Sequence, residues 1–239
     1  MCFLARIMMK RILLKLSGEA LAGDNRQGLD EAICLDVGNQ VKHLTTHGIQ
    51  VAVVTGGGNF WRGRTSETID RTKADQIGML ATVMNCIYVS EIFRHVGLET
   101  EVFTPFVCGA FTGLFSKDKA VAALAEGKVI FFAGGTGHPY FSTDTSAILR
   151  GIEIEADSIL LAKSIDGVYD SDPHSNPDAK KYTEVSIQEI LAKKLTAVDL
   201  TASILCMENK MPMLVFDLQK ANSIVETMYG NFSGTKITV

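Results

Sequence analysis

Runs of aliphatic and aromatic residues too short for independent helices recur along this chain. They are Arg11–Leu16 (RILLKL), Gln50–Val54 (QVAVV), Lys128–Phe132 (KVIFF) and Ser158–Ala162 (SILLA). They show no polar alternation, so both faces of each must be covered, as in the inner strands of a parallel sheet. Longer segments with helical spacing lie between them. Asp30–Thr46 sets Ile33, Val37, Val41 and Leu44 on one face, and Gly48 ends it. Further helices are expected over Lys73–His95, Lys117–Ala125, Asp144–Glu153, Ile187–Lys193, Thr201–Asn209 and Asn222–Tyr229. Further strands are expected over Thr100–Phe103, Met213–Phe216 and Thr235–Thr238. This alternation dictates an α/β fold: a mainly parallel central sheet with helices on both faces. The working loops of such a fold lie beyond the carboxyl ends of its strands.

With 239 residues the chain has room for one large α/β domain or two small ones. No repeat, low-complexity tract or linker divides it. Its character changes near 164, where Asp166-Gly167 between apolar residues predicts a tight hairpin turn. In the long helix, Leu80, Val83, Met84 and Ile87 make an apolar stripe for core or subunit packing. The net charge of −4 argues against binding nucleic acid or an anionic membrane through bulk charge. The 5 cysteines include no C-x-x-C pair, which argues against a disulfide framework or zinc site and for small core thiols in a reducing compartment. The apolar start, MCFLARIMMK, is too short and interrupted to span a membrane and lacks the layout of a signal peptide; Met8 or Met9 is an alternative start.

The common nucleotide signatures fail. Gly18 and Gly23 have Walker spacing, but Asp24 follows where Lys is needed, and Trp61 breaks a dinucleotide pattern in GGGNFW. Other loops fit phosphate chemistry. In KLSGEA, Lys15 ends a strand beside a Ser-Gly turn, where an ammonium and backbone N–H groups can share phosphoryl oxygens; the plainer reading is an edge lysine facing solvent. In TGGGNFWRG, three glycines let backbone approach a ligand, and Asn59 and Arg62 offer donors; the plainer reading is a loop with a surface Arg. In AGGTGHPYFSTD, Thr136, Ser142 and Thr143 stand at a helix start suited to anions, and Tyr140 and Phe141 can flank a base or ribose. Thr143 and Asp144 also fit simple helix capping. Taken singly, Asp75, Asp144, Asp166, Asp172 and Asp199 read as caps, turns or surface residues. His138 suits a binding role better than that of a general base.

Together RILLKLSGEAL, VVTGGGNFWRG, ADQIGMLATVMN, TGHPYFSTD, LRGIEIEAD, DGVYDSDP and AVDLTA resemble the bacterial-type uridylate kinases (UMP kinases) of the amino acid kinase superfamily. The resemblance runs in order from about Lys10 to the C-terminus. DQIGMLATVMN and GIEIEAD are its most specific phrases; other amino acid kinases share the first-strand Lys and the glycine loop but not those.

The resemblance implies the reaction ATP + UMP → ADP + UDP with Mg²⁺, in de novo pyrimidine nucleotide biosynthesis in the cytoplasm. It implies a three-layer αβα sandwich forming a single domain over 1–239, with UMP and phosphate bound by about 10–160 and ATP by about 161–239. It implies a homohexamer built from dimers, with GTP as activator and UTP as inhibitor. Carried onto matching positions, Lys15, Leu16, Ser17 and Gly18 contact ATP phosphates, joined by Gly58 and Arg62, while Lys163, Tyr169 and Asp172 complete the ATP site. Gly57 touches UMP, Asp75 takes its ribose, and Thr136, Gly137, His138, Pro139, Tyr140, Phe141, Ser142 and Thr143 wrap its phosphate and base. Lys15, Arg62, Asp144 and Asp199 form the catalytic group, the two carboxylates orienting Lys15 or Mg²⁺-bound water; no direct metal ligand is assigned. Two segments depart from relatives: Lys163-Ser164 stands where Thr or Asn, then Lys, is usual, and GDNRQGLD differs in the stretch tied to effector response. Alternatives are a family kinase with a carbamate or amino-acid carboxylate acceptor, and a non-catalytic nucleotide-binding protein.

Overall fold

The structure is a computed structural model describing residues 9–25, 27–61, 68–173, 175–195 and 198–239. The apolar runs form the inner strands. They are β1 (Arg11–Leu16), β2 (Gln50–Thr55), β3 (Thr100–Thr104), β5 (Val129–Phe132), β6 (Ser158–Lys163) and β8 (Met213–Asp217). With β4 (Gly113–Leu114), β7 (Glu184–Ser186) and β9 (Thr235–Thr238), they make a nine-stranded sheet in the order β4-β3-β5-β2-β1-β6-β8-β9-β7 among the described residues. Among the named strands of the described residues, only the β8–β9 pairing is antiparallel.

The helices are α1 (Gly18–Ala22), α2 (Glu31–Thr46), α3 (Arg71–His95), α4 (Lys117–Ala125), α5 (Thr143–Glu153), α6 (Ile187–Lys193), α7 (Leu200–Asn209) and α8 (Ser223–Tyr229). Strand parity sorts them into two layers. Ile12, Leu14, Leu16, Val51 and Val53 pack with α2, α3 and α8; Leu13, Ala52, Val54, Ile159 and Leu161 pack with α4, α5 and α7. This is the expected αβα sandwich.

Several helix starts lie one or two residues earlier than expected, each at a cap. Asp70 accepts from the Lys73 N–H (3.2 Å), Ser142 from Thr145 (3.0 Å) and Asp199 from Ala202 (3.0 Å). α1, β4 and β7 are additions to the expected elements. The tight hairpin expected at Asp166-Gly167 does not form. Instead the chain pairs farther out, with a bridge between Tyr169 and Lys181 and the Tyr182 N–H donating to Val168 O (2.8 Å). Asp166 is drawn out of a local turn: its carboxylate accepts from Tyr169 Oη (2.7 Å), Lys181 Nζ (2.9 Å) and Lys220 Nζ (3.3 Å).

The stripe on α3 divides. Val83 is buried and Ile87 packs partly against the core, but Leu80 and Met84 are each 52% exposed, in line with exposed Ile77 and Tyr88. By length and composition alone α3 could cross a membrane; in this fold it packs on α2, β2, β3 and β5. Cys34, Cys86 and Cys206 are buried core thiols, as expected, and burial raises them to about 12, 11 and 12. They are therefore un-ionised and unreactive at neutral pH.

Candidate active site

The carboxyl ends of β1, β2, β5 and β6 lie side by side, so the loops that follow them meet. Parity then decides which side chains converge. Lys15 shares the parity of Leu13 and leaves the sheet toward the α5 layer. Leu161 is opposite Lys15 in the ladder, so Lys163, two residues on, emerges on the same side. Asp144, in the first turn of α5, receives both. Lys15 Nζ lies 2.9 Å from Oδ1 and Lys163 Nζ 3.1 Å from Oδ2. Burial alone would push the Asp144 carboxyl up, but the charges of Lys15 and Lys163 outweigh it and hold it well below the usual carboxylate range. The site thus presents two ammonium groups bridged by one carboxylate, a net positive charge where anionic oxygens can approach.

Asp199 does not join this cluster. It caps α7, and it also accepts hydroxyl hydrogen bonds from Ser142 and from Thr145 (3.1 Å). Among the described residues no ion pair links it to Lys15. Its link to the cluster is structural: Asp199 holds the Ser142 and Thr145 hydroxyls at the start of α5, and α5 carries Asp144.

The end of β1 is tied to β6 and to the loop after β2. Ser17 N–H donates to Ala162 O (3.0 Å) and Gly56 N–H to Leu16 O (2.9 Å). Gly57 presses on α3, where a Cβ would stand 2.9 Å from Gly78 O; only glycine fits that approach. Asn59 is not the ligand donor its sequence position suggests. It is 2% exposed, and its amide hydrogens go to Gly28 O (2.6 Å) and Asn85 Oδ1 (3.1 Å). Arg62, expected at the donor phosphates, lies outside the described residues.

One cleft is lined by Gly57, Gly58 and Trp61 from the glycine loop, Asp75, Met79 and Thr82 from α3, and Thr136, His138, Phe141, Ser142 and Thr143 from the β5–α5 loop. It gathers most of the residues expected around the acceptor, with Gly58 added from the donor group. Gly137, Pro139 and Tyr140 lie in the same loop without lining the cleft. Tyr140 turns outward at 65% exposure. Its backbone has φ 72°, its N–H donates to Asp75 Oδ2 (2.8 Å), and the Arg71 guanidinium sits 5.3 Å from its ring centroid. Arg71 also pairs with Asp75 at 2.8 Å. Trp61, Met79 and Thr82 were not singled out by sequence; Asp75, Met79 and Thr82 nevertheless carry helical i, i+4, i+7 spacing.

A second cavity holds Lys163, Tyr169 and Asp172, with Ile165, Val168, Pro173 and Leu195 as apolar lining and Lys193 and Lys194 at hand. Asp144 stands between the two spaces in a literal sense. Its neighbour Thr143 lines the first cleft and its partner Lys163 lines the second.

Two spaces flanking a carboxylate-bridged lysine pair at the strand ends of an αβα sandwich are the layout of a phosphoryl-transfer protein. The chain belongs to the amino acid kinase family, whose pattern matches residues 10–217. Among solved structures it is similar to the UMP kinase of Bacillus anthracis, at 32% identity and TM-score 0.91 over 96% of each chain. It is equally similar to the UMP kinase of Ureaplasma parvum, at 34% identity and TM-score 0.91 over 97% of this chain and 99% of that one. The uridylate kinase of Archaeoglobus fulgidus shares the fold at 23% identity and TM-score 0.74 over 95% of this chain and 99% of that one. The protein is a kinase.

Proposed function

We propose that the protein transfers the γ-phosphoryl group of ATP to the phosphate of UMP, giving ADP and UDP. The observation that carries this reading is the Lys15–Asp144–Lys163 cluster, in contact with a cleft suited to a nucleoside monophosphate and a cavity suited to adenosine. The similarity to UMP kinases supports the choice of acceptor. On this reading residues about 10–160 serve UMP and about 161–239 serve ATP.

A phosphate monoester with second pKa about 6 is mostly dianionic at neutral pH, so its attacking oxygen needs no base. The obstacle is repulsion between two anions. Lys15, Lys163 and Arg62 offset that charge, and the backbone N–H groups of the first turn of α1, after Ser17, hold donor oxygens. Among the described residues no three His, Cys, Asp or Glu side chains gather as a metal cage, and Asp144 faces two ammonium groups. Asp144 is the carboxylate of this cluster that would help hold a Mg²⁺ bound with the triphosphate. When bound, Mg²⁺ would neutralise charge on the donor phosphates.

Asp75 would take the ribose hydroxyls: it lines the cleft, and among the described residues its hydrogen bonds, from Arg71 and the Tyr140 N–H, go to Oδ2. Asp75→Asn is expected to raise KM for UMP about tenfold or more, the scale of a lost charged hydrogen bond, with KM for ATP little changed. Initial-rate kinetics with each nucleotide varied in turn would show it, and equal rises in both would count against the role.

The exposed row Ile77, Leu80, Met84 and Tyr88 supports a homo-oligomer, up to a hexamer, in which α3 meets a second copy. GTP activation, UTP inhibition, a cytoplasmic location and a place in pyrimidine synthesis belong to the same reading. The deciding experiment is ADP release over a panel of UMP, CMP, carbamate, aspartate and glutamate, with and without GTP and UTP. UMP is expected to be the preferred acceptor; ATP binding without UMP-dependent ADP release would overturn the reading.

A further inference from the structure

Two buried amides remain that no nucleotide contact explains. Asn59 and Asn85 are 2% and 0% exposed and face each other in a reciprocal pair. Asn85 Nδ2 donates to Asn59 Oδ1 (2.8 Å) and to Gly56 O (2.6 Å). Asn59 Nδ2 donates to Asn85 Oδ1 (3.1 Å) and to Gly28 O (2.6 Å). Every amide hydrogen of the pair has an acceptor. An unsatisfied buried amide would cost about 1–3 kcal/mol, so the arrangement is held to one geometry.

The pair sits where three elements of the site meet. A Cβ on Gly18 would stand 2.5 Å from Asn59 Oδ1 and 2.6 Å from Gly56 O, so the turn after Lys15 rests directly on the amide and on the glycine loop. Gly56 precedes Gly57, which lines the acceptor cleft, and Asn85 belongs to α3, the helix that carries Asp75, Met79 and Thr82 into that cleft. Donor turn, acceptor loop and acceptor helix are therefore fastened at one point.

We propose that Asn59 and Asn85 are positioning residues that set the spacing between the donor-phosphate turn and the acceptor loop. The proposal rests on the site's reading as a phosphotransferase. It adds that the amide pair governs alignment of two bound substrates, not the binding of either. In-line transfer is sensitive to placement, and a displacement of about 1 Å can cost about 10²-fold in rate.

The test compares kcat and both KM values for Asn85→Leu, Asn59→Leu and the double variant, using whichever panel acceptor the wild type phosphorylates best. Each single variant is expected to lose about tenfold or more in kcat, with both KM values near wild type. The double variant should fall no further than the worse single one, because the residues act as a unit. Trp61, the chain's single tryptophan, lies in the glycine loop and donates its indole N–H to Ala74 O (2.9 Å). Acrylamide quenching of its fluorescence should rise in each variant. Should the Leu variants not accumulate as folded protein, Asn85→Asp is read the same way; it keeps the shape and turns the two donors into acceptors. Folded variants with wild-type kcat and a lowered Tm would reduce the pair to packing and overturn the proposal, as would a rise confined to one KM. A wild type that phosphorylates another acceptor and ignores UMP would sink the UMP reading and leave this proposal measurable on that acceptor.

Discussion

A Lys15→Met variant is expected to fold and bind both nucleotides yet turn over about 10³-fold more slowly, the scale set by loss of a strong electrostatic group in a water-poor site. Lys15 is 8% exposed, so its stem is part of the packing between β1 and α5. Met has a similar unbranched stem and fills that space. The exchange strips only the charge. Asp144 is not stranded, because Lys163 still faces its Oδ2 at 3.1 Å. Stability should therefore fall far less than activity. UMP affinity should change little, since the acceptor cleft is lined by other residues. Steady-state kinetics beside a thermal melt would separate these effects. Near-normal turnover would remove Lys15 from the chemistry, and a collapse in Tm would make it a structural residue first.

The sheet was readable because its inner strands carry their burial in their composition. RILLKL and QVAVVT have five buried residues out of six, and VIFF is buried throughout. What composition could not show was anything depending on distant partners. β4 has two exposed residues, too few to carry a strand pattern, β7 has three and pairs with β9 some fifty residues on, and α1 is a short, mostly buried turn of five residues. Asp166-Gly167 carries a strong local turn signal, but Lys181 and Lys220 arrive from elsewhere and capture the carboxylate. Tertiary electrostatics won over turn propensity.

The site divides along the same line. Lys15 and the loops were legible because strand ends of a parallel sheet are where ligands bind. The roles of similar side chains were not. Asp144 and Asp199 are both half-buried acidic residues near a helix start. Only the fold shows that one meets two lysines and the other two hydroxyls. Asn59 follows a glycine triplet and looks like a ligand donor, until Asn85, 26 residues away, takes it inward.

Asp144→Asn is expected to separate stability from binding. At neutral pH it replaces the shared carboxylate of two lysines with a neutral amide, leaving like charges side by side. Breaking such a pair should cost about 2–4 kcal/mol, the usual figure for a buried ion pair reduced for residual solvent contact. The side chains of Lys15, Lys163 and Asp144 keep 10%, 18% and 14% exposure, which is why the lower part of the range applies. The pH dependence follows from the direction of the shift. The folded-state pKa of Asp144 is depressed, so the unfolded chain takes up its proton first. The pair's contribution is complete above the unfolded carboxylate value of about 4 and is lost as pH falls below it toward the folded value. Wild type and variant should thus differ most at pH 7 and converge in acid. Binding should move the other way. ATP brings oxygens to two ammonium groups that have lost their counter-charge, so its thermal shift on the variant should exceed that on the wild type. Turnover should still fall, by about 10²-fold, because Lys15 is no longer aimed. Chemical denaturation at pH 7 and pH 3, with melts in the presence and absence of ATP, tests each part. Equal stability at pH 7, or a smaller ATP shift in the variant, would show that Asp144 does not organise the two lysines.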